Sequence, residues 1–309
     1  MQNPRDVLTP DALAMLQAIA EQGSFAAAAR SLSLVPSALT YRVRQIEDAL
    51  DVLLFDRSSR QARLTEAGAE LLRGGSRLLL EIDAMANRVK RVATGWEPQF
   101  TLAVDSIVMQ SVVMELCEAF YALQPPTRLR IREETLSGTL AALTSGQADL
   151  AIGVVMVPTH LSEIHTEVLG RLAFVFCVAP HHPLANAQEP VQDDDILQHR
   201  AVSVADSVQR GAGLSFGLLG GQDVLTVPTM QAKLQAQLRG LGIGYLPQCL
   251  ARPYIESGRL KALRIARART EGQFRYAWRN HPNTGKALQW WLGQLQSPVT
   301  RAALLGQHV

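Results

Sequence analysis

Four side chains between Ser37 and Arg44 have the chemistry and spacing of a nucleic-acid contact surface. Ser37, Thr40, Tyr41 and Arg44 follow one another at steps of three, one and three, which places them on one face of a helix. Hydroxyl and guanidinium groups hydrogen-bond base edges and phosphates in a DNA major groove. An amphipathic helix with a solvated polar face has the same pattern, so this helix alone does not decide between the two interpretations.

The elements around this face favour the nucleic-acid interpretation. Pro36 is suited to the first position of the helix, and an apolar stripe predicts its buried side. The stripe consists of Leu39, Val43, Ile46 and Leu50. A shorter helix should precede it, because Ser24 is a natural N-cap for the alanine-rich turn that follows. Two helices separated by a tight break are therefore predicted.

An arginine-bearing hairpin should follow the second helix. Arg57, Arg60 and Arg63 lie in a stretch that contains no acidic residue. Since phosphate contacts are usually made by arginine and lysine, we expect these three guanidinium groups to clamp the DNA backbone.

The order of the motifs resembles a known family. Gly-Ser-Phe-x-x-Ala-Ala, Ser-Ala-Leu-Thr-x-x-Val-Arg-x-Ile-Glu, Leu-Phe-Asp-Arg and Leu-Thr-x-Ala-Gly follow one another as in the winged helix-turn-helix of LysR-type transcriptional regulators. The resemblance implies a sequence-specific DNA-binding regulator controlled by a small-molecule effector. Val35 and Pro36 stand where the family usually has Ser-Gln, which leaves the operator sequence open. The expected DNA-binding residues are Ser24, Ser37, Thr40, Tyr41, Arg44, Arg57, Arg60 and Arg63.

A long helix should run from Leu64 to about Arg91, with more apolar positions than a lone surface helix needs. In LysR-type proteins the corresponding linker helix pairs with its twin, so the resemblance implies a homodimer or homotetramer assembled through this helix. Packing of the helix on its own domain is the alternative.

From Phe100 onward, predicted strands and helices alternate, with one strand expected at Leu172–Val178. The alternation predicts βαβ units and a parallel sheet. The segment Leu-x-x-Gly-x-x-Asp-Leu-Ala-Ile resembles the two-lobed α/β effector domain of the same family, a fold like that of the periplasmic binding proteins. We therefore expect a winged helix-turn-helix domain (1–66), a linker helix (67–95) and two effector subdomains. The first effector subdomain comprises 96–160 and 266–309, and the second comprises 161–265.

In such a sheet, ligands bind at the carboxyl ends of strands, beside helix N-termini. The residues expected there are Asp105, Ser106, Glu134, Ser137, Gly138, Asp206 and Thr229. Each polar side chain among them is equally explained as a helix cap. Because three are carboxylates, we expect a neutral, hydroxylated or cationic effector over a simple dicarboxylate.

Other chemistry finds little support in the sequence. The run from Gly213 to Gly217 matches Gly-x-Ser-x-Gly, with Asp223 and His281 downstream, but it lacks the flanking strand and helix of a nucleophile elbow. A cytosolic small-molecule hydrolase or binding protein with an N-terminal assembly module is the alternative function.

No histidine spacing suits a metal site, and we expect no catalytic residue, metal or cofactor.

Composition and charge agree with this interpretation. The 309 residues carry a formal net charge of only +2, so DNA binding must be local to one surface. The three cysteines are widely spaced and odd in number, which is typical of a reducing compartment. The longest apolar run, Leu172 to Pro180, is too short to span a bilayer, and the N-terminus has no apolar signal segment. We expect a cytoplasmic protein with no membrane partner.

Overall fold

A computed structural model describes residues 3–56, 62–156, 163–208, 215–267, 271–280 and 284–307. The chain forms two compact units, Met1–Val89 and Lys90–Val309. Among the described residues, no helix combines the length and the apolar character needed to cross a membrane.

The first unit is a small helical domain with a two-stranded ribbon. Its elements are α1 (Pro4–Val7), α2 (Pro10–Gln22), α3 (Phe25–Ser31), α4 (Pro36–Leu50), β1 (Phe55–Asp56), β2 (Arg63–Leu64) and the start of α5 (Glu66–Thr94). The core is apolar and includes Ile19, Leu39, Ile46 and Phe55, each at most 2% exposed.

Local chemistry sets the helix ends in this unit. Thr9 caps α2 by accepting a hydrogen bond from the Ala12 N–H at 3.2 Å, and Pro10 occupies the first helical position. Gly23 ends α2 with φ of 64°, a left-handed conformation that glycine adopts without steric cost. The predicted helix pair is therefore present, with the predicted buried stripe on α4.

The second unit alternates strands and helices. Its strands are β3 (Gln99–Asp105), β4 (Arg128–Glu134), β5 (Leu150–Val154), β6 (Ile164–Val178), β7 (Ala201–Val204), β8 (Val224–Val227), β9 (Gly244–Pro247), β10 (Lys261–Leu263) and β11 (Glu271–Arg279). Its helices, after the end of α5, are α6 (Gln110–Tyr121), α7 (Gly138–Thr144), α8 (Asp193–Leu197), α9 (Met230–Leu238), α10 (Gln248–Glu256), α11 (Lys286–Gln296) and α12 (Pro298–Leu304).

The strands form two lobes that share β6. The first half of β6 pairs with β11, which continues the sheet through β5 and β3 to β4. The second half of β6 pairs with β9 and β10. The first lobe thus contains β3, β4 and β5, and the second contains β7 to β10.

Two expectations about the sheet need correction. Pairing is parallel between β3 and β4 and between β3 and β5, but antiparallel between β11 and both β5 and β6, so the sheet is mixed. The strand expected at Leu172–Val178 is longer and begins at Ile164. The extra length has a topological cause, because β6 carries the chain from one lobe to the other.

Candidate nucleic-acid interface and ligand cleft

The short helix α3 is positioned by its cap and its small residues. The Ser24 hydroxyl accepts a hydrogen bond from the Ala27 N–H at 3.1 Å, so this predicted DNA-binding residue serves as the helix cap. Ala28 and Ala29 are fully buried and let α3 and α4 approach closely. The observed role of Ser24 is thus structural, as the N-cap of α3.

The other face of α4 is open. Ser37, Tyr41 and Arg44 are exposed, with Tyr41 at 64%, and they lie opposite the buried Leu39 and Val43. The Tyr41 hydroxyl accepts a hydrogen bond from the Gln45 amide at 3.2 Å and keeps its own proton to donate. Large exposed aromatic and guanidinium groups on a helix are suited to groove contacts.

Val35 and Pro36, which depart from the usual family residues, stand at the start of α4. Val35 is 62% exposed and gives the helix no side-chain cap. Thr40 is half-buried, and its hydroxyl already donates a hydrogen bond to the Pro36 carbonyl oxygen at 2.9 Å. In this first turn Pro36 has no N–H, and the N–H groups of Ala38 and Leu39 donate to the Val35 carbonyl. The Ser37 N–H is left to donate to a phosphate oxygen.

A buried carboxylate holds α4 against the ribbon. Glu47 is 4% exposed and accepts hydrogen bonds from the N–H groups of Leu54 at 2.8 Å and Phe55 at 3.4 Å. In the ribbon, exposed Arg63 lies opposite Asp56. The predicted phosphate contacts Arg57 and Arg60 fall outside the described residues.

An apolar stripe runs along the exposed side of α5. Its members recur at steps of four and three, the spacing of a coiled-coil seam. They are Leu78 (58% exposed), Ile82 (40%), Met85 (53%), Val89 (65%) and Val92 (76%). A helix that leaves such a seam in water has a surface suited to a second helix.

A cavity of 350 Å³ lies in the second unit between the two lobes. Its walls include Asp105, Ile107, Leu136, Val155, Phe174, Ser203, Val204, Phe216, Gly217, Met230, Lys233, Tyr245, Glu271, Gly272 and Phe274. Both lobes contribute to this lining, as expected for a ligand site at strand ends.

Asp105 is the only predicted ligand residue among the described ones that lines this cavity. It is 2% exposed, and its carboxylate accepts hydrogen bonds from the N–H groups of Ile107 at 3.0 Å and Leu136 at 2.8 Å. Burial raises the pKa of Asp105 to about 7, opposed by these two hydrogen bonds and reinforced by the nearby charges of Glu133 and Asp206.

Ser106 and Thr229 position the helix α9. The Ser106 hydroxyl accepts from the Met230 N–H across the lobes at 3.3 Å, and Ser106 lines a neighbouring cavity of 240 Å³. The Thr229 hydroxyl accepts from the Ala232 N–H at 3.1 Å and is an N-cap.

The remaining predicted residues form a junction between the lobes. The Ser137 hydroxyl lies 2.7 Å from both carboxylate oxygens of Asp206, and Glu134 forms a 2.9 Å ion pair with Arg132. At Gly138, an added Cβ would lie 1.8 Å from the Ser207 hydroxyl oxygen. Gly138 is therefore required for this close contact.

Sequence reasoning missed most of the cavity wall. Lys233 lies in α9, is 6% exposed, and reaches the cavity. Phe174, Phe216 and Phe274 also line it. Sequence patterns gave no signal for these residues, because they are brought together from strands, a loop and a helix that are far apart in the chain.

The apparent nucleophile motif has no elbow geometry where it is described. Gly213 falls outside the described residues, while Ser215 is exposed and lies outside any strand or helix. Over the described ranges, no group of three or more His, Cys, Asp or Glu side chains is arranged to hold a metal ion.

Two successive parts of the chain match known protein families. Residues 10–69 match the bacterial regulatory helix-turn-helix proteins of the lysR family, and residues 93–298 match the LysR substrate binding domain. An uncharacterized HTH-type transcriptional regulator of Escherichia coli K12, YeeY, is 37% identical over 298 residues, covering 96% of this chain and 95% of YeeY. The HTH-type transcriptional regulator PunR of Escherichia coli K12 is 31% identical, covering 93% of each chain.

Solved structures share the fold. CbnR complexed with its target DNA superposes with a TM-score of 0.61 at 17% identity, covering 94% of this chain and 99% of CbnR. LysG of Corynebacterium glutamicum with bound effector Arg has a TM-score of 0.52 at 21% identity, covering 97% of this chain and all of LysG.

Proposed function

The chain belongs to the LysR-type family of transcriptional regulators, and we propose that it reads DNA with the exposed face of α4 and binds an effector in the cavity between its lobes. As a member of this family it is a regulator with a helix-turn-helix DNA-binding domain and an effector-binding domain, and not an enzyme. What remains to be assigned is which residues contact each partner.

The open face of α4 carries the DNA-binding proposal. Ser37, Tyr41 and Arg44 project from the side opposite the core, and Thr40 lies beside them. Arg63 on the ribbon, with Arg57 and Arg60, is proposed to contact phosphates. Ser24 is proposed to contribute by fixing α3, with its backbone near the DNA. This division assigns base contacts to α4 and backbone contacts to the hairpin.

Effector binding is proposed for the 350 Å³ cavity. Asp105 lines it directly. Ser106 and Thr229 hold the N-terminus of α9 at its edge, while Glu134, Ser137, Gly138 and Asp206 form the junction whose closure a ligand would bias. A ligand shifts the lobes only if it binds one arrangement more tightly than the other.

The exposed seam of α5 supports assembly into a homodimer, and pairing of two such dimers would give the homotetramer. The proposed domains are 1–66 for DNA binding, 67–95 for the linker helix, and 96–160 with 266–309 and 161–265 for the effector lobes. As a DNA-binding regulator, the protein is proposed to act in the cytoplasm.

Fluorescence anisotropy of the full chain tests the DNA-binding proposal. Labelled fragments from upstream of its own gene are titrated at several salt concentrations, with a shuffled fragment as the control. We expect tighter binding to one native fragment, with affinity that falls steeply as salt rises. Equal binding to native and shuffled fragments at every salt concentration would contradict sequence-specific recognition.

A further inference from the structure

Lys233 is a buried charge that faces the cavity. It lies on the second turn of α9, is 6% exposed, and lines the cavity wall. Across the ranges that the structure describes, its ammonium group takes part in no hydrogen bond or ion pair. Buried charges are normally paired, because removing an ion from water without a partner is costly.

The ammonium group remains charged at neutral pH. Burial lowers the pKa of Lys233 to about 8, so most of the population is protonated at pH 7. A cation that the fold does not pair favours a ligand that supplies the counter-charge.

The surroundings of Lys233 form a polar corner in the second lobe, defined by Lys233, Gln237 and Gly244. Gln237 is fully buried, and both polar atoms of its amide lack a hydrogen-bond partner in the described chain. A Cβ added to Gly244 would lie 3.2 Å from the Gln237 Nε2 and 3.5 Å from the Lys233 Nζ. Two unpartnered polar groups one helical turn apart thus converge beside a residue that has no side chain.

The rest of the cavity is mainly apolar. Its apolar lining includes Ile107, Leu136, Val155, Phe174, Phe216 and Phe274. Two carboxylates, Asp105 and Glu271, also line it. An anionic group of a ligand is favoured only near the polar corner. A second anionic group on the same ligand would be repelled by one of these carboxylates.

These observations revise the charge argument made from the sequence. Glu134 is paired with Arg132 and Asp206 with the Ser137 hydroxyl, and neither carboxylate lines the cavity. The repulsion expected from three strand-end carboxylates is therefore reduced, and the buried Lys233 ammonium group adds an attraction for an anion.

We propose that the effector is a small monocarboxylic acid with an apolar or aromatic body, whose carboxylate pairs with Lys233 while the body packs against the phenylalanine rings. This inference rests on the proposed effector function of the cavity. It narrows the ligand to one anionic group and excludes dicarboxylates as tight ligands.

Thermal-shift and calorimetric titrations of the full chain test this proposal. The probes are benzoate, phenylacetate, salicylate and hexanoate, each compared with its primary amide, and terephthalate as a dicarboxylate. We expect at least one monocarboxylate to stabilise the protein, with its amide and terephthalate binding about tenfold or more weakly. The proposal would be overturned if the amides stabilised the protein as much as the acids do. It would also be overturned if none of the acids stabilised the protein at millimolar concentration.

Two variants separate the ligand charge from the ligand site. Lys233→Met should weaken acid binding by about tenfold or more, and should raise the melting temperature of the ligand-free protein because it removes an unpaired buried charge. Val155→Phe should narrow the cavity and weaken the binding of every ligand that enters it. If Val155→Phe weakened acid binding and Lys233→Met did not, the cavity would still be the effector site, but the proposed role of Lys233 would be overturned. Binding that survives Val155→Phe would place the ligand elsewhere and contradict the proposed effector site itself.

Discussion

The Ser106 hydroxyl oxygen accepts a hydrogen bond from the Met230 N–H at 3.3 Å, across the boundary between the lobes. Met230 is the first residue of α9, the helix that also carries Lys233. The second lobe's cavity wall is therefore attached to the first lobe at one end of this helix. A ligand that reaches Lys233 acts on the helix that this hydrogen bond holds.

Replacing Ser106 with alanine should loosen this attachment. One hydrogen bond to a backbone N–H contributes about 1 kcal/mol, and its loss leaves a helix N-terminal donor unsatisfied. We expect Ser106→Ala to lower the free energy of unfolding by about that amount in chemical denaturation. Ser257→Ala is the matched control, because the Ser257 hydroxyl is exposed and bonds only within its own helix end. Equal losses in the two variants would contradict an interlobe role for Ser106.

Gly138 should tolerate no side chain while Ser207 is present. A Cβ at this position would lie 1.8 Å from the Ser207 Oγ and 2.8 Å from the Glu134 Oε2. We expect Gly138→Ala to destabilise the second unit by about 1–3 kcal/mol through overpacking. Adding Ser207→Ala should recover part of the loss, since it removes the nearest atom. A double variant no more stable than Gly138→Ala would show that this contact is not the cause.

The stability of the protein should fall as pH rises from 5 to 8, through Asp105. Burial raises the pKa of its carboxyl group from an ordinary value near 4 to about 7 in the folded protein. The folded state thus binds more protons than the unfolded state in this window, so stability is lost as pH rises, by about 2–3 kcal/mol between pH 5 and pH 8. The free energy of unfolding of wild type minus that of Asp105→Asn should therefore decrease by this amount from pH 5 to pH 8, because asparagine does not titrate. A wild-type-minus-variant difference that stays constant or increases with pH would contradict this assignment.

Assembly should depend on the exposed seam of α5. A carboxylate at Met85 would be buried against the partner helix, so we expect Met85→Asp to shift the protein toward monomer in analytical ultracentrifugation. Asp83→Asn changes the charge by one unit in the opposite direction, on the opposite side of the helix, and should leave the assembly intact. An unchanged oligomer in Met85→Asp would mean that another surface mediates assembly.

The helix-turn-helix was predictable because its determinants are local. Caps at Thr9 and Ser24, the proline at the start of α4 and the apolar stripe all act within a few residues. The role of Glu47 was not predictable, since its hydrogen bonds to Leu54 and Phe55 depend on how the ribbon folds back.

The effector cavity was only partly predictable because its contacts are distant in sequence. The strand-end rule located Asp105 and the polar residues around it. It did not predict that Ser137 and Asp206, 69 residues apart, would bond to each other instead of facing a ligand. Lys233 belongs to a helix with a largely polar sequence, in which a lysine is expected to face solvent. The antiparallel pairing of β6 and β11 was missed for a related reason, because strand and helix alternation does not reveal where the chain crosses between lobes.

The central claim is that the exposed face of α4 reads DNA, and a pair of arginine variants tests it most directly. Arg44 lies on that face, whereas Arg42 is exposed on a different side of the same helix. In anisotropy titrations with the native fragment, Arg44→Ala should weaken binding by about tenfold or more, as loss of a base or phosphate contact worth about 1–3 kcal/mol requires. Arg42→Ala should bind nearly as wild type does. Wild-type affinity in Arg44→Ala, or an equal loss in both variants, would contradict the account.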